Sequence, residues 1–327
     1  PDNLEALFLA AGIHDLENNL YEAAAAYEKI LAIDSQQTRA NLGLARVLAR
    51  QGKFEEAERN LKTACSIDPT DVKARLALFA FYVAREQFDA AETALQDGIA
   101  ANPQNVELRI VLGNFAMRRN DHSTAERAYL EAVQLEPESI RPHMVLAGFY
   151  ETTGRIEKAR MQYEKALLLQ PEDIRIMDRL ARFHLQNGNI AKAEEYIAEV
   201  ARRNEAYFPN RLLKAELAVA KKEFAEAVGI LGPLVREEPQ SVRAHYFKGL
   251  AHLGSGEVEI AKNDLNTVVE LNPSHAKTRL VLADIHLRER NFDKAAAHCE
   301  SVLEKFPDNY QARLILGNVH MLANRPD

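Results

Sequence analysis

A period of 34 residues runs through the whole chain and limits what it can fold into. Prolines recur in one register of that period, and alanines recur in a second register without interruption. The prolines are Pro69, Pro103, Pro137, Pro171, Pro239, Pro273 and Pro307. The alanines are Ala23, Ala57, Ala91, Ala125, Ala159, Ala193, Ala227, Ala261 and Ala295. Because self-similarity at a fixed period is typical of stacked repeats, the chain is predicted to be a repeat protein.

Each period predicts two helices, A and then B. In the fifth repeat, His143, Leu146 and Tyr150 lie on one face of an A helix. Gly154 is able to adopt a positive φ and end that helix. Pro171 ends helix B, because proline has no N–H and clashes with the preceding turn.

Nine complete repeats and the first helix of a tenth are predicted. A single helix pair cannot bury its apolar face alone, so the pairs are expected to stack into one elongated solenoid over residues 1–327. Position 20 of every complete repeat is Ala, and position 8 is nearly always Ala or Gly, which predicts close packing of each pair. Position 1 falls on Leu4, Thr38, Val72, Val106, Ile140, Ile174, Phe208, Val242, Ala276 and Tyr310.

This pattern resembles the tetratricopeptide repeat family, and in particular the multi-repeat proteins of bacteria. The resemblance is carried by the large–Leu–small–aromatic columns of helix A, the Ala–aromatic–Ala columns of helix B, and the proline that follows. It implies an all-α fold, a right-handed α–α superhelical solenoid whose A helices line the concave side.

Residues 201–239 depart from the pattern. Glu205 stands where the proline should be, Lys214 replaces a Leu, and Pro233 falls inside a predicted B helix. A proline there removes a backbone hydrogen bond and favours a bend. Two interpretations stay open, namely drift of the repeat sequence or a bend in the solenoid.

No arrangement of residues indicates catalysis, so the segment is predicted not to be an enzyme and to need no cofactor. Five histidines share position 11, but equivalent positions in neighbouring repeats lie roughly 10 Å apart. Zinc needs its ligands about 2 Å away, so these histidines are predicted to pack rather than bind metal. Cys65 and Cys299 are predicted to be buried thiols.

Charge and hydropathy narrow the class of partner. The net charge of −7 argues against nucleic acid, which is usually bound by strongly basic chains. No apolar run reaches the ~18 residues of a membrane span, so membrane insertion is not expected. The chain is expected to be soluble, and its compartment stays open between the cytoplasm and the periplasm.

The resemblance places helix A positions 2, 5, 6, 9, 12 and 13 in the concave groove. Cationic residues outnumber acidic residues at these positions, although the whole chain is acidic. Position 5 is otherwise a line of apolar residues. The groove is therefore predicted to bind a protein or peptide that is acidic or ends in a carboxylate. The predicted partner-binding residues are Arg39, Arg46, Arg50, Lys73, Asn114, Arg118, Arg141, Arg175, Asp178, Arg179, Arg182, Arg243, Tyr246 and Phe247.

Two parts of this groove lead to more specific expectations. Tyr246 and Phe247 are expected to form an exposed aromatic anchor. The sixth repeat alone has a charged residue, Asp178, at position 5. Either Asp178 neutralises Arg175 and Arg182 on its own helix, with Glu216 of the next repeat meeting Arg182, or this repeat is the first place to expect an anionic partner.

A carboxylate clamp, known in one sub-type of the family, is only partly matched. Asn114, Arg175 and Arg179 fit its pattern, but Ile110 and Val145 stand where Lys and Asn should be. A clamp of that type is therefore not expected.

The leading functional hypothesis is a scaffold or adaptor that holds a protein partner in its groove. The resemblance suggests bacterial envelope assembly, secretion or exopolysaccharide export as its setting. Two alternatives remain, namely the substrate-recruiting arm of a larger enzyme such as a glycosyltransferase, and an architectural solenoid that self-associates.

Overall fold

The computed structural model describes residues 3–323, and these form nineteen α-helices and no strand. The A helices have 13 residues each and the B helices 14. The helices are α1 (Leu4–Leu16), α2 (Leu20–Ile33), α3 (Thr38–Arg50), α4 (Phe54–Ile67), α5 (Val72–Ala84), α6 (Phe88–Ala101), α7 (Val106–Arg118), α8 (His122–Leu135), α9 (Ile140–Thr152), α10 (Ile156–Leu169), α11 (Ile174–Gln186), α12 (Ile190–Arg203), α13 (Phe208–Ala220), α14 (Phe224–Glu237), α15 (Val242–Gly254), α16 (Val258–Leu271), α17 (Ala276–Arg288), α18 (Phe292–Lys305) and α19 (Tyr310–Leu322). Every A helix begins at the predicted first position of its repeat.

In seven of the ten A helices, the side chain of the residue just before the helix caps its first turn. The side chain of Asp71 accepts hydrogen bonds from the backbone N–H groups of Lys73 and Ala74. Asp173 caps α11 by accepting from the N–H of Arg175. Such caps satisfy donors that have no partner inside the helix.

The turn between helix A and helix B contains a left-handed residue in all nine complete repeats. Glycine occupies this place, position 15 of the repeat, in only four of them. The glycines are Gly52, Gly154, Gly188 and Gly256, and the other residues with positive φ are Asn18, Glu86, Asn120, Lys222 and Arg290. Since a side chain makes this conformation costly, the geometry of the turn is imposed by the packing of the two helices.

The core follows the small-residue columns. Each alanine at position 20, from Ala23 to Ala295, is fully buried. At position 8, a Cβ atom added to Gly113 would lie 2.3 Å from the ring of Tyr129. The predicted role of these columns in close helix packing is confirmed, and the predicted burial of Cys65 and Cys299 is confirmed as well.

The chain divides into two compact units, residues 1–169 and residues 170–327, called unit 1 and unit 2 below. Within unit 2, the irregular segment keeps its two helices. Pro209 lies in the first turn of α13, where proline is tolerated. Pro233 lies inside α14, which nevertheless keeps the 14 residues of the other B helices. A single solenoid over the whole chain, and a bend at residues 201–239, stay predictions.

Candidate functional site

A groove of about 1140 Å³ opens on the A helices of the first three repeats, inside unit 1. It is called the repeat 1–3 groove below. Four residues predicted from the sequence line it, namely Arg39, Arg46, Arg50 and Lys73. The other lining residues are Phe8, Gly12, Tyr27, Thr38, Leu42, Gly43, Ala45, Ala49, Phe54, Leu61, Asp71, Ala77, Phe81, Ala84 and Arg85.

The floor of this groove is apolar and made largely of small residues. Phe8 and Leu42 occupy position 5 of their repeats and are half-buried. At Gly43, an added Cβ atom would lie 2.4 Å from the ring of Tyr27. Because Gly43 has no side chain, helices α2 and α3 approach each other closely, and the ring of Tyr27 packs against the backbone of α3.

Three cations on the rim make no ion pair among the described residues. The guanidinium of Arg39 lies over the ring of Phe8, with its Cζ 4.4 Å from the ring centre. That of Arg85 lies over Phe54 at 3.9 Å. Lys73 is exposed. Aromatic faces attract cations without neutralising them, and no carboxylate among the described residues pairs with Lys73, so these three side chains keep their positive charge available.

Two further arginines of the groove share one acidic partner. Arg46 contacts Asp15 at 2.5 Å, and Arg50 pairs with the same carboxylate. Arg50 also donates to the side-chain oxygen of Asn18 at 2.7 Å. One carboxylate faces two guanidinium groups, which leaves this end of the groove positive as well.

The remaining predicted residues of unit 1 differ in whether their side chains already have a partner within the chain. Asn114 accepts a hydrogen bond from the hydroxyl of Tyr129 at 2.8 Å, so its carbonyl oxygen is already used. Arg141 is paired with Glu107. Arg118 is exposed at the end of α7.

In unit 2, the corresponding faces of α11, α13 and α15 hold a different arrangement, called the repeat 6–8 network below. It consists of Asp178, Arg182, Glu216 and Arg243. Asp178 Oδ2 lies 3.4 Å from Arg182 Nη2. Glu216 faces both Nε and Nη2 of Arg243 at 2.5 Å. Asp178 and Glu216 are only 7% and 6% exposed, so both carboxyl groups are largely withdrawn from solvent.

Burial is the largest influence on the pKa values of the two carboxyl groups in this network. Burial raises the pKa of Asp178, and the neighbouring Arg182 opposes that shift. Burial also raises the pKa of Glu216, to about 8, against the attraction of Arg182 and with the repulsion of Asp178. A low-dielectric site disfavours the charged form of a carboxyl group, and this is the physical cause in both cases.

Asp178 pairs with Arg182, as one of the two interpretations expected, but two other contacts of that interpretation were wrong. Arg175 binds Asp173, its own N-cap residue, at 2.6 Å rather than Asp178. Glu216 contacts Arg243 directly, while Arg182 acts on it electrostatically. Asp173 precedes α11 and so lies outside the spacing of the helix face, which is why the pattern of that face did not indicate its pairing with Arg175.

The predicted aromatic anchor is less exposed than expected. Tyr246 and Phe247 are both half-buried. The ring of Tyr246 packs edge-on against Phe247 at 5.3 Å and against His275 at 5.2 Å. These contacts use much of the aromatic surface inside unit 2, so the prediction of a freely exposed anchor was wrong.

Sequence reasoning missed Phe81 and Arg85 of the repeat 1–3 groove. They stand at positions 10 and 14 of their repeat, outside the positions taken from the family pattern. Arg85 follows the last residue of α5, and its side chain reaches the groove by lying on Phe54. A search for cations just beyond the A helices would have found it.

None of the helices within residues 3–323 is both long and apolar enough to cross a bilayer. Over the same residues, no three histidine, cysteine or acidic side chains are arranged to hold a metal ion.

Comparison with known sequences places the chain among repeat proteins. The family model of the C-terminal domain of cilia and flagella-associated protein 70, a domain of tetratricopeptide repeats, matches residues 3–207. Models of the tetratricopeptide repeat itself match residues 184–253, 249–309 and 280–327. No curated protein sequence matches the chain.

Solved structures share the fold at low sequence identity. A tetratricopeptide repeat protein from Parabacteroides merdae has a TM-score of 0.66 at 20% identity, over 76% of this chain and 98% of that one. Yeast Tom70 has a TM-score of 0.60 at 13% identity, over 98% and 90%. A chain of the APC/C hetero-tetramer Cut9–Hcn1 has 0.59 at 18% identity, over 91% and 59%.

These matches agree with the helix pairs described above. The predicted fold class, an all-α superhelical solenoid of tetratricopeptide helix pairs, is confirmed. The chain belongs to the tetratricopeptide repeat family, and residues 3–207 belong to the group formed by the C-terminal domain of cilia and flagella-associated protein 70.

Proposed function

We propose that this chain is a non-enzymatic scaffold that binds an acidic peptide segment of a protein partner in the repeat 1–3 groove. Tetratricopeptide solenoids in general are protein–protein interaction scaffolds, and their repeats are typically not catalytic. One observation carries the more specific proposal. An apolar floor lies beside three cations, Arg39, Lys73 and Arg85, that make no ion pair among the described residues.

The chemistry of the groove selects for two properties in a partner. Its cations favour carboxylates through charge-assisted hydrogen bonds and through electrostatic steering during the encounter. Its floor of Phe8, Leu42 and Ala77 favours aliphatic side chains, since burying them removes apolar surface from water. A segment in which acidic and apolar residues alternate, or one that ends in a carboxylate, satisfies both.

The cellular setting is a separate proposal. Bacterial envelope assembly, secretion or exopolysaccharide export is supported only by the resemblance of the repeats to multi-repeat bacterial proteins. The alternative of a substrate-recruiting arm of a larger enzyme requires the same binding of an acidic peptide in this groove. An adaptor in the cytoplasm or the periplasm requires it as well.

A binding measurement with a defined probe tests the groove. The probe is a fluorescein-labelled peptide of alternating Leu and Glu, followed by fluorescence anisotropy. The double variant Arg39→Glu/Lys73→Glu should weaken binding by more than about tenfold, because two attractive charges become repulsive. Added salt should weaken wild-type binding, since exposed charges are screened.

The matched control changes the same charges elsewhere in unit 1. Arg59 and Arg127 are exposed on the B helices α4 and α8. Arg59→Glu/Arg127→Glu should leave binding nearly unchanged, apart from the effect of net charge. If both double variants weaken binding equally, the groove is not the binding site and the proposal is wrong.

A further inference from the structure

The repeat 6–8 network contains two carboxyl groups that are more than nine-tenths buried, on faces where unit 1 has its groove. Asp178 lies at position 5, which is apolar in every other A helix. Glu216 lies at position 9 of the next repeat. Helix packing alone does not require an acidic side chain at position 5, because every other A helix has an apolar residue there. Nor does it at position 9, where other repeats have Gly12, Ala80 or Leu250.

The network leaves one oxygen of each carboxyl group, Asp178 Oδ1 and Glu216 Oε1, buried without a well-formed hydrogen bond, although Glu216 Oε1 lies in ion-pair contact with Arg243 Nε. Asp178 Oδ2 contacts Arg182, whereas Asp178 Oδ1 is buried and has no hydrogen-bond partner among the described residues. A buried oxygen in this state costs free energy comparable to a lost hydrogen bond. Protonation of Asp178 removes the charge from that oxygen, so acid favours the neutral form of this group.

Charged and titratable groups face the two carboxyls from three parts of unit 2. They come from α11, from the loop that precedes α13, and from α15, and all but Tyr207 are arginines. The groups around Asp178 and Glu216 are Arg179, Arg182, Tyr207 and Arg243, with Arg175 acting on Tyr207. Arginine keeps its charge at every physiological pH, so the carboxyl groups control the net charge here.

We infer that repeats 6–8 contain a second anion-binding site. While Asp178 and Glu216 are ionised, they pair with Arg182 and Arg243. When the two carboxyl groups are protonated, the arginines become able to bind an acidic partner. The site takes the same chemical class of ligand as the repeat 1–3 groove, a carboxylate or another anionic group. It differs in being closed by the chain's own carboxylates.

The accessibility of the two arginines supports this role. The side chain of Arg243 is 38% exposed although it is paired with Glu216, and that of Arg182 is 15% exposed. An anionic group can therefore approach Arg243 from solvent without unfolding a helix. The raised pKa of both carboxyls, caused by burial, brings their protonation closer to neutral pH.

The experiment isolates this site from the repeat 1–3 groove. All measurements use the full chain carrying Arg39→Glu/Lys73→Glu, which removes the attraction of that groove. The probe is a fluorescein-labelled peptide with several sulfotyrosine residues, because sulfate esters keep their charge over the whole range tested. Its binding is followed by anisotropy from about pH 8.5 down to about pH 5.5, on either side of neutrality.

Probe affinity should rise by about tenfold on acidification, an amount that corresponds to one well-formed charge pair. Histidines also gain charge in this range, so a second variant is needed to identify the source. Asp178→Asn/Glu216→Gln resembles the protonated state, so it should bind the probe tightly already at about pH 8.5, and only the contribution of the histidines should remain on acidification. Adding Arg182→Gln/Arg243→Gln to that variant should abolish the gain.

The matched control is Glu205→Gln/Glu238→Gln, which removes two exposed carboxylates of unit 2. It should keep the pH dependence of its parent. If Asp178→Asn/Glu216→Gln binds no better than this control at alkaline pH, the second site does not exist. That outcome leaves the repeat 1–3 groove untouched, because its own test uses a different probe and the wild-type groove.

Discussion

The repeat 1–3 groove and the repeat 6–8 network lie on corresponding faces of their A helices but distribute charge in opposite ways. In unit 1, Arg39, Lys73 and Arg85 make no ion pair among the described residues. In unit 2, Arg182 and Arg243 are engaged by buried carboxylates. Counting the cations along the sequence predicts that both the repeat 1–3 groove and the repeat 6–8 network are positive. The comparison shows that the position of the acidic partners decides which face is positive.

Removing a cation should therefore destabilise unit 2 much more than unit 1. Arg182→Ala leaves Asp178 buried beside fewer positive charges, and we expect a loss of about 3 kcal/mol of folding free energy at alkaline pH. Lys73→Ala removes only an exposed charge and should change stability by less than about 0.5 kcal/mol. Urea unfolding followed by circular dichroism measures both. Similar losses in the two variants would remove the contrast.

The pH dependence of stability should differ in the same way. The folded pKa values of Asp178 and Glu216 lie above their ordinary values of 3.8 and 4.5. Such groups stabilise the fold at low pH, and that contribution is lost as the pH rises through the folded pKa. Between about pH 6 and about pH 9, the opening free energy of α13 should fall by about 2 kcal/mol.

Hydrogen exchange resolved by helix measures this change, with α3 of unit 1 as the internal reference. Glu216→Gln should remove most of the pH dependence of α13. An unchanged dependence in that variant would show that other groups are responsible.

Substitutions at the left-handed turn residue should change stability for the same reason in both units. They therefore test whether the difference in charge pairing between the units is confined to the grooves. Lys222 has a φ of 63°, and Gly154 has a φ of 71° in the equivalent turn of unit 1. Lys222→Gly should stabilise the chain by about 1 kcal/mol, because glycine adopts this conformation without steric cost. Gly154→Ala should destabilise it by about the same amount. Thermal unfolding compares them, and a loss of stability in Lys222→Gly would contradict the argument.

The smallest effect is expected within the repeat 1–3 groove itself. Arg46 shares Asp15 with Arg50, so Arg46→Gln should weaken binding of the Leu/Glu peptide by less than about threefold. Lys73→Gln should weaken it by more, because Lys73 has no acidic partner to neutralise its charge. Asp15→Asn should strengthen binding. Equal effects of Arg46→Gln and Lys73→Gln in an anisotropy titration would show that pairing by Asp15 is unimportant.

Part of the candidate site could be predicted from the sequence. Arg39, Arg46, Arg50 and Lys73 were identified from their repeat positions, and all four line the groove. Arg85 was missed because a long side chain beyond the end of α5 reaches the groove by lying on an aromatic ring. The reach of such a side chain depends on its neighbours and not on its place in the repeat.

The periodic sequence by itself determined the helix pairs, their boundaries and the close packing of their small residues. These are local or nearest-neighbour properties, since each repeat meets only the repeats beside it. Only the tertiary structure decided which cations keep their charge available, because pairing depends on contacts between side chains of different helices. Arg243 and Glu216 are 27 residues apart in the chain, and their contact exists only once α13 and α15 are stacked.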